Sequence, residues 1–180
     1  VARSGGPATA PRPLTGSPLH QRLRAESAEP GAEAVRPAVD ALLDRYGETR
    51  LEFGRWHGDW VPWNLGRLGD RVVAWDWEHA ADGVPLGFDL AHHAFQRELV
   101  EAGRPVAAAA QAAQDAVLRH GPGWGLDARA AAAVAEAYLV EMWLRTWRLA
   151  SGGAGWNPAL HPGLLTVLAQ RQARPVGAGP

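Results

Sequence analysis

Asp59 and Asn64 share one short segment, His57-Gly58-Asp59-Trp60-Val61-Pro62-Trp63-Asn64, and Asp76 follows the apolar run Val73-Ala74-Trp75. Each is an oxygen-bearing side chain at the edge of an apolar, β-rich stretch. Phosphoryl transfer asks few groups of a protein but asks that they be well placed. A carboxylate must orient the attacking hydroxyl and accept its proton, and oxygen ligands must hold Mg2+ against the β- and γ-phosphates of a nucleotide. An Asp and an Asn on one loop, with a second Asp at the end of a neighbouring strand, supply that set. Taken singly, the same residues have plainer uses: Asp59 and Asn64 as turn-forming residues, Asp76 as a strand-end cap, and Glu78 as a solvated or Arg-paired carboxylate. Other chemistries find less. The chain has no Cys, and none of its four Ser lies in a G-x-S-x-G elbow. His79, His92 and His93 lack the spacing of an H-E-x-x-H zinc site.

These residues need elements to hold them. Leu51, Phe53 and Trp56 lead into the 57–64 loop, and Pro62 stops helix or strand from running through it. Gly69-Asp70 can form a tight turn before the β-rich run Arg71-Val72-Val73-Ala74-Trp75. The spacing therefore predicts a small hairpin that carries the loop and returns Asp76 beside Asn64. The flanks are helical. Helices are expected from Pro18 to about Ser27 and from about Glu33 to Tyr46, where Val35, Val39, Leu42, Leu43 and Tyr46 form one stripe and Gly47 sits at the C-cap. Phe88, Ala91, Phe95 and Leu99 form a further helical face, and residues 105–119 are Ala-rich. Asp127 is placed to cap a long helix to about Ala150 on which Leu139, Trp143 and Trp147 read as core, and a last helix is expected over Pro158 to about Ala173. The fold class is α+β and mainly helical. Residues 1–17 read as a flexible leader, 18–174 as the folded unit and 175–180 as a flexible tail.

Three blocks in order, His57-Gly58-Asp59 with Asn64, then Asp76-Trp77-Glu78, then Gly83-Val84-Pro85-Leu86-Gly87-Phe88-Asp89-Leu90-Ala91, resemble the aminoglycoside phosphotransferase and choline kinase-like family. Four fixed letters at the first spacing arise by chance in roughly one 180-residue chain in a thousand, and the two later blocks make coincidence far rarer. The resemblance implies the C-terminal catalytic lobe of a protein-kinase-like fold. Asp59 would be the catalytic base, and Asn64 and Asp76 the Mg2+ ligands that also hold the nucleotide. His57 would pack behind the loop, and Asp89 would buttress it from the start of its helix. The implied reaction moves the γ-phosphoryl of ATP or GTP to a hydroxyl of a small polar molecule, with an aminoglycoside as one candidate. Glu98, Glu101, Glu136 and Glu141 are candidate carboxylates for a cationic acceptor.

The family's nucleotide-gripping lobe has a Gly-rich strand–turn–strand and a strand Lys. The 56 residues before His57 offer no such strands, and all 18 basic residues of the chain are Arg. The reading is therefore of the catalytic lobe only, with an apolar face of the β unit left uncovered. It leaves a second expectation, a non-catalytic kinase-like lobe acting as a binding module or inactive remnant. A net charge of −1 with no basic stripe argues against nucleic acid. No apolar run reaches the ~20 residues of a membrane span, and Val1 to Pro13 lacks the apolar core of a secretory signal. The cytoplasm is the expected compartment.

Overall fold

The computed structural model describes residues 10–153 and 160–173. Among these residues, six helices and six short strands follow one another in a mixed α+β fold that is mainly helical. The strands pair antiparallel into three two-stranded sheets.

Residues 10–17, expected as part of a loose leader, are anchored to the fold through Leu14 and Ser17. β1 (Arg12–Pro13) pairs with β2 (Arg50–Leu51), and Leu14 is fully buried. Ser17 then caps α1 (Pro18–Glu26), its hydroxyl accepting the His20 N–H at 3.1 Å while Pro18 opens the first turn. The rest of the leader, residues 1–9, and the expected tail, 175–180, lie outside the described residues.

The helix expected from Glu33 begins later, as α2 (Arg36–Tyr46), after a 3-10 turn over Glu33–Val35. Pro37 has no N–H to give the Glu33 carbonyl. Arg36 donates to that carbonyl instead, which tightens the turn. Gly47 ends α2 as expected, but with φ −51° rather than in the left-handed conformation. A Cβ there would meet the Thr15 hydroxyl and the Leu43 carbonyl, each at 2.5 Å, so close approach demands the glycine.

β3 (Phe53–Trp56) pairs with β6 (Ala81–Pro85), a strand the sequence reading did not anticipate. Between them lie the 57–64 loop and the expected hairpin, β4 (Leu65–Leu68) and β5 (Arg71–Ala74), in the register Leu65–Ala74 to Leu68–Arg71. The hairpin stands clear of the body. Leu68 is 72% and Val72 58% exposed, and Trp63, Trp75 and Trp77 beside them are also exposed.

α3 (Phe88–Gln96) buries Phe88, Ala91 and Phe95. Leu99 falls in a π-helical turn, Arg97–Glu101, and is only partly buried against the core. α4 (Val106–His120) follows, then a 3-10 turn over Gly121–Trp124. α5 (Ala128–Ser151) is the axis of the fold. Asp127 caps it, accepting the Ala130 N–H at 2.7 Å, and nearly every residue from Ala130 to Thr146 is buried. A helix buried on all sides must present apolar or small residues, or charges paired with neighbours, all round, which fits its Ala-rich first half and its ion-paired Glu136 and Glu141. Trp143 lies in the core and Trp147 packs against it. α6 (Leu160–Gln172) closes the bundle, and the start expected near Pro158 lies outside the described residues.

Candidate active site

The site forms where β3 ends and α3 begins. Gly58 has φ +81°, and a Cβ on it would lie 2.1 Å from the His79 carbonyl oxygen. Glycine is required twice over, by conformation and by contact. The loop thereby lies against the 3-10 turn Trp77–His79 that follows Asp76.

His57 is fully buried and fixes the loop to the hairpin. Its Nδ1 accepts the Asp59 N–H at 3.2 Å, and its Nε2 lies 2.8 Å from the Trp75 carbonyl. An acceptor at Nδ1 puts the ring proton on Nε2, which donates to that carbonyl. Trp77 covers the ring, with centroids 4.5 Å apart. Asp89 carries the loop backbone from the first turn of α3. Its carboxylate accepts the His57 N–H at 3.0 and 3.1 Å and the Gly58 N–H at 3.3 Å.

Asp59 is half-buried and tightly held. Asn64 Nδ2 donates to its Oδ2 at 2.8 Å and to its backbone carbonyl at 3.1 Å, while His92 Nε2 lies 3.3 Å from Oδ1. Burial pushes the Asp59 carboxyl up. The His92 hydrogen bond and the Arg145 guanidinium outweigh it, so the group sits below its usual range and is ionised at neutral pH.

Asn64 and Asp76 are brought near each other through the backbone. The Trp75 N–H donates to the Asn64 carbonyl at 3.2 Å, so Asp76 emerges one residue past that bond. Asp76 is exposed and is the one non-glycine residue among those described with positive φ, at 64°. Its carboxylate makes no hydrogen bond or ion pair among the described residues, so none joins it directly to Asp59 or Asn64. Asp tolerates the left-handed region better than most residues, and such outliers gather at functional sites. No cluster of three or more His, Cys, Asp or Glu side chains suited to a metal exists among the described residues. The donors at hand are the Asp76 carboxylate and the Asn64 amide oxygen, whose own Nδ2 is committed to Asp59. That oxygen set fits Mg2+, which takes few protein ligands and completes its shell with water and substrate phosphates.

Three partners were not legible in the sequence as site residues. Arg145 donates to the Gly58 carbonyl and lies over the Trp56 ring at 5.7 Å. His92 reaches Asp59, and Tyr138 reaches His92. A signal for His92 was present: it follows Asp89 by three positions on one helix, so the two share a face. Nothing in the Ala-rich stretch of α5 singles out Tyr138 or Arg145.

Two candidate acceptor carboxylates are committed elsewhere. Glu141 is buried between Arg22 at 3.0 Å and Arg148 at 2.9 Å, and Glu136 is buried against Arg45 at 3.3 Å. Glu101 pairs with Arg97 at 3.6 Å in the π-helical turn that also holds Glu98. Glu78 is largely solvated, 3.4 Å from His79 Nε2. No helix among the described residues is long and apolar enough to cross a membrane. Comparison of the chain with protein-family models, curated proteins and solved structures gave no match.

Proposed function

We propose that the chain is the catalytic lobe of a phosphotransferase that moves the γ-phosphoryl of ATP or GTP to a hydroxyl of a small polar molecule. The observation that carries this reading is the held carboxylate of Asp59: ionised, fixed through both oxygens, and one loop away from an unpaired, left-handed Asp76. A base on a hydroxyl acceptor needs that combination of charge and fixed direction. The three motif blocks that resemble aminoglycoside phosphotransferases and choline kinases point the same way.

In this account Asp59 orients the acceptor hydroxyl and takes its proton. The hydroxyl oxygen forms a bond to the γ-phosphorus as the bond to the β-phosphate oxygen breaks, and the nucleoside diphosphate leaves. Mg2+, when bound by Asn64 and Asp76, neutralises charge on the β- and γ-phosphates. Asp89 and Gly58 keep the loop at the depth the reaction needs. A cytoplasmic setting, where nucleotide is plentiful, suits this chemistry.

A second reading, a binding module without turnover, is favoured by the exposed apolar residues of the β4–β5 hairpin. Calorimetric titration of the 180-residue chain with Mg·ATP separates the two. Binding that weakens in Asp76→Ala supports the phosphotransferase, and no binding up to millimolar nucleotide supports the module.

A further inference from the structure

Behind Asp59 runs a buried chain of hydrogen bonds that the motif blocks do not account for. His92 and Tyr138 are both fully buried. His92 Nε2 lies 3.3 Å from Asp59 Oδ1, and His92 Nδ1 lies 3.1 Å from the Tyr138 hydroxyl. An ionised carboxylate only accepts, so Nε2 must carry the proton that faces it. Burial pushes the His92 pKa down to about 4, so the ring is neutral near pH 7 and Nδ1 is an acceptor. Burial also raises the Tyr138 hydroxyl well above its ordinary value, so it keeps its proton and donates. All the donors in the chain therefore run one way, from Tyr138 to His92 to Asp59. The ring cannot turn freely, because Trp56 and Tyr138 meet it edge-on at 5.9 and 6.0 Å.

We propose that His92, with its tautomer set by Tyr138, is the positioning residue that fixes the direction of the Asp59 carboxylate. This deepens the phosphotransferase reading and rests on it for its catalytic consequence. His92 takes no proton in the reaction, because its nitrogen facing Asp59 is already protonated. Its contribution is geometric. With Oδ1 held by His92 and Oδ2 by Asn64 Nδ2 at 2.8 Å, the carboxylate cannot rotate, and its remaining lone pairs point in fixed directions. Asp89 and His92, three positions apart on α3, divide the work: one sets the loop backbone and the other sets the carboxylate at its tip.

The test has a structural arm and a kinetic arm, both on the 180-residue chain. Nitrogen-15 NMR of the His92 ring should show a protonated Nε2 and an unprotonated Nδ1, unchanged between pH 6 and 8. A proton on Nδ1, or a doubly protonated ring in that range, overturns the proposal. In the kinetic arm, with Mg·ATP as the probe and water as acceptor, His92→Leu should lower kcat roughly 10–100-fold with little change in KM for ATP. His92→Gln, which offers an Nε2 donor at the same depth, should recover most of that loss. Equal activity in His92→Leu and wild type, or no recovery in His92→Gln, overturns it. Should His92→Leu not fold, Tyr138→Phe removes only the hydroxyl and should lower kcat roughly threefold to tenfold. An unaltered kcat together with an unaltered Nδ1 signal in that variant also overturns the proposal. A wild-type chain that turns over no ATP would sink the phosphotransferase reading and the catalytic role with it, while the NMR arm would still decide the direction of the hydrogen bonds.

Discussion

The Asp89 carboxylate accepts the backbone N–H of His57, 32 residues earlier in the chain, through both of its oxygens at 3.0 and 3.1 Å. One side chain on a helix thus sets the height of a loop that the hairpin alone could not hold. Asp89→Asn puts an amide nitrogen against one of those N–H donors and removes the charge. The expected loss is about 2 kcal/mol of stability, read by urea denaturation, with a fall in Mg·ATP turnover beyond what the lost folded fraction explains.

Gly58 makes a sharper demand. Gly58→Ala introduces a Cβ at φ +81° that would sit 2.1 Å from the His79 carbonyl oxygen. The loop and the Trp77–His79 turn must separate, which uncouples Asp59 from Asp76. Nucleotide turnover should fall at least tenfold, and the amide NMR signals that move most should be those of residues 57–60 and 76–80. Unchanged signals in those segments would contradict the described contact.

Stability should depend on pH through His92. Its folded pKa is lowered to about 4 from 6.5, so as pH falls below 6.5 the unfolded chain takes up a proton that the folded chain refuses. Stability from this group is therefore full above pH 6.5 and drains away toward pH 4. Between pH 7.5 and 5 the loss should be about 2 kcal/mol. Glu26 and Glu136, raised by burial, slope the other way. The measurement is thus a difference: His92→Gln should show about 2 kcal/mol less pH dependence than wild type over that interval.

The β4–β5 hairpin gives a prediction about association. Leu68, Val73 and Trp75, which the register places on one face of the hairpin, present apolar surface to solvent, and exposed apolar faces of that kind drive self-association. Light scattering should show an apparent mass that rises with concentration, and Leu68→Glu with Val73→Glu should suppress the rise.

Much of the scaffold was legible in the sequence, for local reasons. Gly69-Asp70 between two apolar runs announced the hairpin, and Asp127 before an Ala-rich stretch announced the cap of α5. The elements that escaped depend on distant partners. β6 contains Asp82, Gly83 and Pro85, poor strand formers that β3 nevertheless pairs. Residues 10–17 are rich in Pro and Gly and looked loose, yet β2 and the end of α2 hold them. The site divides along the same line. Asp59, Asn64 and Asp76 follow from spacing along the chain, whereas Tyr138 and Arg145 enter only when α5 threads the core.

The role proposed for Asp59 is that of the base in a phosphoryl transfer. It is tested most directly by following the γ-phosphoryl label of Mg·ATP, with and without a panel of small hydroxyl compounds, in wild type and Asp59→Asn. Wild type should yield labelled phosphate or phosphorylated acceptor, and Asp59→Asn about 10²–10⁴-fold less with the fold intact by circular dichroism. Comparable transfer by the two proteins, or no release of label by wild type under saturating Mg·ATP, would contradict it.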